Sequence, residues 1–256
     1  MSEGLIVICL SAAAGIVGTG LGGALGALLG GGGERTAAGA MGFASGIMIG
    51  LSAFEMLPSA AGALSGVMSE TPAVFAAAAI ALIGAALVML AERALDRASA
   101  GRGAGNSGQG GGRLTRAGIA AAIVIALHNL PEGVAIGGTG AAELSGGITV
   151  ALMIALHDVP EGMAIGAPLA GGGVRAGRAI LAAAASGITT VIGAAIGLAA
   201  GSVAWAGAVA VAAAAGSMLA ATFSSLLPET YALSDSRPPV FAVLLGIAAA
   251  LCFSLV

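Results

Sequence analysis

Apolar runs long enough to cross a bilayer recur along almost the whole chain, separated by short polar or Gly-rich stretches. A membrane span needs about 20 mostly apolar residues. By that measure the pattern predicts eight helices, at roughly 4–29, 37–60, 72–95, 115–139, 146–169, 177–201, 205–230 and 238–256. The stretch of about 97–113 between the third and fourth is rich in Gly, Ser, Asn and Gln and lacks apolar periodicity, so it reads as a flexible linker. The first run has only Glu3 ahead of it and no basic flank, and it is long for a cleaved leader; it reads as a transmembrane helix. The expected fold is an all-α polytopic membrane protein, a single transmembrane domain over residues 1–256.

Composition agrees with that pattern. Of the 256 residues, 58% are hydrophobic and 8% charged, where a soluble domain carries about a quarter. The placement of charge says more than its total of −3. There is no lysine. Arg35 falls in the first inter-helix loop, Arg93, Arg97, Arg102, Arg113 and Arg116 in or beside the third, Arg175 and Arg178 in the fifth, and Arg237 in the seventh. All nine therefore lie on one side of an eight-span chain, while the other side shows Glu3, Glu70 and Glu143. The positive-inside rule puts both termini outside and the linker in the cytoplasm. The arginines read as topology signals, so no nucleic-acid partner is expected. The 45 glycines, many beside alanines in apolar runs, let helices approach closely and make a homodimer an expectation too. Cys9 and Cys252, without any CxxC pattern, read as buried free thiols.

A faint internal repeat links the second and seventh spans. Gly46, Met48, Leu57 and Pro58 in one match Gly216, Met218, Leu227 and Pro228 in the other at an offset of 170. The two spans run in opposite directions, which suggests a 3+2+3 arrangement: helices 1–3 and 6–8 as inverted repeats around helices 4–5.

The chemistry sits in that central pair. His128-Asn129-Leu130-Pro131-Glu132-Gly133 recurs 29 positions later as His157-Asp158-Val159-Pro160-Glu161-Gly162, and these hold the chain's two histidines. Ionisable residues at membrane depth cost roughly 2.5–3.5 kcal/mol each on insertion scales, so function is the default reading. Residues three and four apart share a helix face. His128, Asn129 and Glu132 thus point one way on the fourth span, and His157, Asp158 and Glu161 do the same on the fifth. Imidazole with carboxylate suits zinc, iron(II) and manganese. Each motif's proline also frees the carbonyl four residues earlier, Leu127 or Leu156, for an ion or a water.

With these paired motifs in an eight-span chain, the sequence resembles the ZIP family of divalent metal transporters over essentially its whole length, most of all the GufA-like bacterial branch. The resemblance implies zinc uptake toward the cytoplasm across a bacterial inner membrane, with iron(II), manganese or cadmium as further cargo, by a protein usually drawn as a homodimer. It also implies a binuclear site. One ion would take His128, Glu132, His157 and Glu161; the second would take Asn129, Glu132 and Asp158. Many members bridge the two ions with a glutamate in the sixth helix, where this chain has Thr190 in Ser186-Gly187-Ile188-Thr189-Thr190-Val191-Ile192-Gly193. A hydroxyl is a poorer ligand than a carboxylate, so the second site is expected to be weak, transient or absent.

Other residues suit a pathway. Glu55 near the outer end of the second span could receive an incoming cation, and Glu229 near the inner end of the seventh could pass one on, although each also reads as a solvated helix end. Met48, at helical spacing from Ser52, reads as packing more than as a ligand. The expected mechanism is alternating access around a mid-membrane site, with metal binding displacing protons from the histidines. A membrane metalloenzyme would want a motif such as HExxH, which is absent, together with a spare general base. A metal-gated channel differs in carrying a flux that does not saturate.

Overall fold

The computed structural model describes residues 2–100, 111–201, 205–234 and 238–254. Arg102, Arg237 and most of the Gly-rich linker lie outside the described residues. Within them the chain is all helical: α1 (Glu3–Ala12), α2 (Thr19–Leu29), α3 (Gly33–Leu51), α4 (Leu57–Leu64), α5 (Glu70–Ala100), α6 (Gly111–Ala142), α7 (Leu144–Gly171), α8 (Ala176–Ser186), α9 (Ile188–Ala200), α10 (Ala206–Ala221), α11 (Leu227–Leu233) and α12 (Pro238–Ser254). Six continuous helical segments are long and apolar enough to cross a membrane: Glu3–Leu64, Glu70–Ala94, Gly112–Ala142, Leu144–Gly171, Ala176–Ala200 and Ala206–Leu233. Pro238–Ser254 is a shorter apolar helix. The protein is a multi-pass membrane protein.

Glu3–Leu64 is not one straight rod. A 3₁₀ turn at Gly30–Gly32 leads to Gly33, whose φ of 68° is left-handed and open to glycine without strain. The chain redirects there. Upstream, α2 packs on α7 and α8; downstream, α3 packs on α12 and α7.

Two π-helical turns, Ser52–Met56 and Thr222–Leu226, have a common cause. Pro58 and Pro228 follow them closely, lack an N–H, and crowd the carbonyls of Phe54 and Ser224 four residues back. The wider turn absorbs that crowding and keeps the helix going. At these turns Ser52 Oγ donates to Met218 Sδ at 3.0 Å, and Thr222 Oγ1 donates to Met48 Sδ at 3.6 Å. Each contact is the other with partners exchanged at an offset of 170, so α3 and α10 cross antiparallel.

Glycines set how close the other helices come. A Cβ on Gly22 of α2 would strike the Val159 carbonyl of α7, and one on Gly193 of α9 would strike the Leu130 carbonyl of α6. Gly15 and Gly187 abut in the same way. These contacts join α1, α2, α6, α7, α8 and α9 into one closely packed group. A second group forms where Gly46 of α3 meets Val243 of α12 and Gly216 of α10 meets Ala81 of α5. The groups meet through α3 on α7 and α10 on α6, in a core that includes Met41, Met48, Met218 and Ile165.

One expectation fails. Cys9 and Cys252 are free, but both are exposed. They lie on the apolar outer surface, where hydrocarbon accepts a thiol as readily as a protein core does.

The glycine contacts carry a test. Gly22→Ala should cost about 1–3 kcal/mol through overpacking, whereas Gly62→Ala, with nothing near its added Cβ, should be neutral or slightly stabilising. Thermal unfolding of the two variants in detergent reads the difference; equal midpoints would contradict the close approach of α2 and α7.

Candidate metal centre

Residues 128–132 of α6 and 157–161 of α7 pass each other deep in the packed helices. His128, Asn129, Glu132, Asp158 and Glu161 are fully buried, and His157 is 2% exposed. His128 Nε2 lies 3.2 Å from Glu161 Oε1, and His157 Nε2 lies 3.5 Å from Glu132 Oε1. Each histidine therefore faces the glutamate of the other motif. Asp158 Oδ1 is 3.8 Å from His157 Nε2. Two sets of ligand atoms result, His128–Glu132–Glu161 and Glu132–His157–Asp158, each with its atoms within 4.8 Å of one another. Glu132 belongs to both.

The backbone aims the ligands. His128 Nδ1 is 3.1 Å from the Val124 carbonyl, which can only accept, so Nδ1 carries a proton and Nε2 is the nitrogen turned toward the carboxylates, where an ion would take its lone pair. Asn129 Nδ2 donates to the Ser186 carbonyl at 3.4 Å, which turns its Oδ1 away from that contact.

Around this point lie Asn129 Oδ1, both oxygens of Glu132 and of Asp158, His157 Nε2, Glu161 Oε2 and Thr190 Oγ1, all buried with no protein hydrogen-bond partner. Most buried polar atoms in folded proteins are satisfied, and unpaired buried charge costs several kcal/mol. Such a set calls for a cation. The donors are nitrogen and oxygen, with the thiols on the outer surface, so the chemistry suits zinc and similar divalent ions over copper(I).

Thr190 is buried on α9, with its hydroxyl unpaired. A Cβ on Gly15 would lie 2.6 Å from the Thr190 hydroxyl, and a Cβ on Gly18 would lie 2.9 Å from the Cβ of Asp158. Both glycines lie in the π-helical turn Ala13–Gly18. They admit α7 and α9 to the site's edge, a role that nothing in their sequence separates from the other glycines.

The remaining sequence candidates lie apart from the ligand sets. Glu55 lines a pocket of about 160 Å³ with Leu51, Met153 and Leu156. Leu51 and Met153 also line a cavity of about 30 Å³ that reaches His157, room for about one water. Met48 and Ser52 are buried and engaged with Thr222 and Met218. Glu229 lines a pocket of about 210 Å³ with Ser224, Ser225 and Met41. Glu92 was not singled out by the sequence, yet it accepts from Ser224 Oγ at 2.7 Å and Ser225 Oγ at 3.1 Å beside that pocket. Between the Glu229 pocket and the site, Ile125 is fully buried, one turn from both Ala121 and His128.

A protein-family model described as ZIP Zinc transporter matches residues 103–254, more than half of the chain and all six ligand candidates. The chain belongs to the ZIP zinc transporter family. It is also 37% identical over 123 residues to the Zinc transporter ZupT of Corynebacterium efficiens. That alignment covers 46% of each protein, so the chain spans about half the length of this curated ZIP relative.

The shared carboxylate gives a direct prediction. Glu132→Gln should weaken zinc binding at least about tenfold, or 1.4 kcal/mol, and more than Asp158→Asn does, because Glu132 serves both ligand sets. Competition against a chelator of known affinity measures both variants; equal losses would remove the bridging role.

Proposed function

We propose that the protein carries divalent transition-metal ions, zinc foremost and iron(II), manganese and cadmium as further cargo, across the bacterial inner membrane toward the cytoplasm. One observation carries the reading: eight buried polar atoms without protein partners converge on facing imidazoles and carboxylates at membrane depth. Membership of the ZIP family and the similarity to a zinc transporter support it.

The first ion takes His128, Glu132, His157 and Glu161. A second site built on Asn129, Glu132 and Asp158 is weaker, since Thr190 offers a hydroxyl where a carboxylate would bind more strongly. The chain crosses the membrane eight times within one domain, counting Glu3–Leu64 as two passes divided at Gly33 and Pro238–Ser254 as the last. The paired π-helical turns and the exchanged Ser52–Met218 and Thr222–Met48 contacts support inverted repeats around α6 and α7. Arginine placement supports outside termini and a cytoplasmic linker. Small-residue surfaces support a homodimer.

Transport carries the ion through the buried site from one side to the other. An ion arriving at Glu55 passes Leu51 and Met153 to reach His157. The glycine-packed group that carries the ligands then shifts against the α3–α5 and α10–α12 group, and the ion leaves past Ile125 toward Glu229. The backbone contacts within each group hold it together as it moves.

Purified protein in proteoliposomes should show saturable zinc uptake that His128→Ala abolishes and in which Thr190→Glu changes the order of preference among zinc, iron(II), manganese and cadmium. Flux that fails to saturate would point to a channel. Folded protein with no flux above empty vesicles would sink the transport reading.

A further inference from the structure

A groove of about 470 Å³ runs between α6 and α8, on the outer surface of the group that carries the ligands. Its walls are Ile119, Ala122, Ile123 and Ala126 on one side and Ala182 and Ala185 on the other. Arg178 and Thr115 stand at one end, and Ser186 closes the other. Ile119 and Ile123 are 50% and 44% exposed, so the groove opens to the lipid.

Its dimensions and charge match one occupant. From Thr115 to Ala126 the helix rises about 16 Å at 1.5 Å per residue, close to half of the ~30 Å hydrocarbon thickness. The groove is therefore as long as one leaflet is deep. Arg178 is exposed at the end that faces the headgroups, and among the described residues no carboxylate pairs with it. Arg116, also exposed, lies one residue from Thr115 at the same level. A guanidinium over an apolar slot is complementary to a phosphate above an acyl chain.

We propose that this groove holds one anionic phospholipid, its phosphate on Arg178 and its acyl chain between α6 and α8. The chain's far end meets Ser186, whose carbonyl accepts from Asn129 at the metal centre and which adjoins the break between α8 and α9 at Gly187. The inference rests on the protein lying in a membrane and is independent of the ion it carries.

Native mass spectrometry of the full chain in detergent tests it, with dioleoyl phosphatidylglycerol or dioleoyl phosphatidylcholine added. One phosphatidylglycerol should be retained in preference to phosphatidylcholine, and Arg178→Ala should lower that preference about fivefold, the share of one arginine near a phosphate. Arg113→Ala, outside the groove, should leave it unchanged. Ala126→Trp and Ala182→Leu, which fill the slot, should exclude both lipids while zinc binding stays at the wild-type level and reports an intact fold. Equal retention of phosphatidylglycerol by the wild type and Arg178→Ala would overturn the proposal. So would a dimer that Ala126→Trp dissociates without any change in lipid retention, since the groove would then hold a second copy of the chain.

Discussion

The structure is built around a burial that is unfavourable on its own terms. Three carboxylates and two imidazoles converge in full burial, and most of their polar atoms have no protein hydrogen-bond partner. In a low-dielectric interior such a cluster repels itself and forfeits the hydration of every member. A divalent cation reverses the sign of both effects at once. The packing of α6 on α7, the imidazole tautomer fixed by Val124 and the glycines that admit neighbouring helices all serve to hold this cluster together without a protein counter-charge.

That constraint also accounts for the rigidity of the surrounding helices. Ligands on two helices keep their spacing only if the helices do, and backbone-to-backbone contact at Gly22, Gly133, Gly162 and Gly193 leaves little freedom to slide. The other group is tied in the same way, at Gly46 against Val243 and Gly216 against Ala81. Two groups, each held together by backbone contact, are the parts that a rigid-body rearrangement needs.

Much of the class and the chemistry was legible in the sequence, because both rest on costs that leave a plain record. A charged residue in an apolar run is expensive wherever it occurs, so two copies of His-x-x-Pro-Glu stand out from their surroundings, and the structure brings their side chains together. The finer architecture left no such record. In a bilayer the lipid-facing surface is as apolar as the core, so hydrophobicity does not tell inside from outside. For that reason Cys9 and Cys252 read as core thiols and yet lie on the outer surface. Gly15 and Gly18 went unnoticed among many similar glycines, and Glu92 gained meaning only when α5 met the serines after α10. Pro58 and Pro228 stand in the sequence as matching positions of the repeat, but whether a helix kinks or widens at a proline depends on its neighbours.

The central claim is that the cargo ion sits among the motif side chains of α6 and α7. X-ray absorption at the zinc edge, on protein loaded with one equivalent of zinc, tests it most directly. The account predicts a first shell of two imidazole nitrogens with carboxylate oxygens, at about 2.0–2.2 Å, and the loss of one imidazole in His128→Ala. A shell containing sulfur, or one unchanged by His128→Ala, would contradict it.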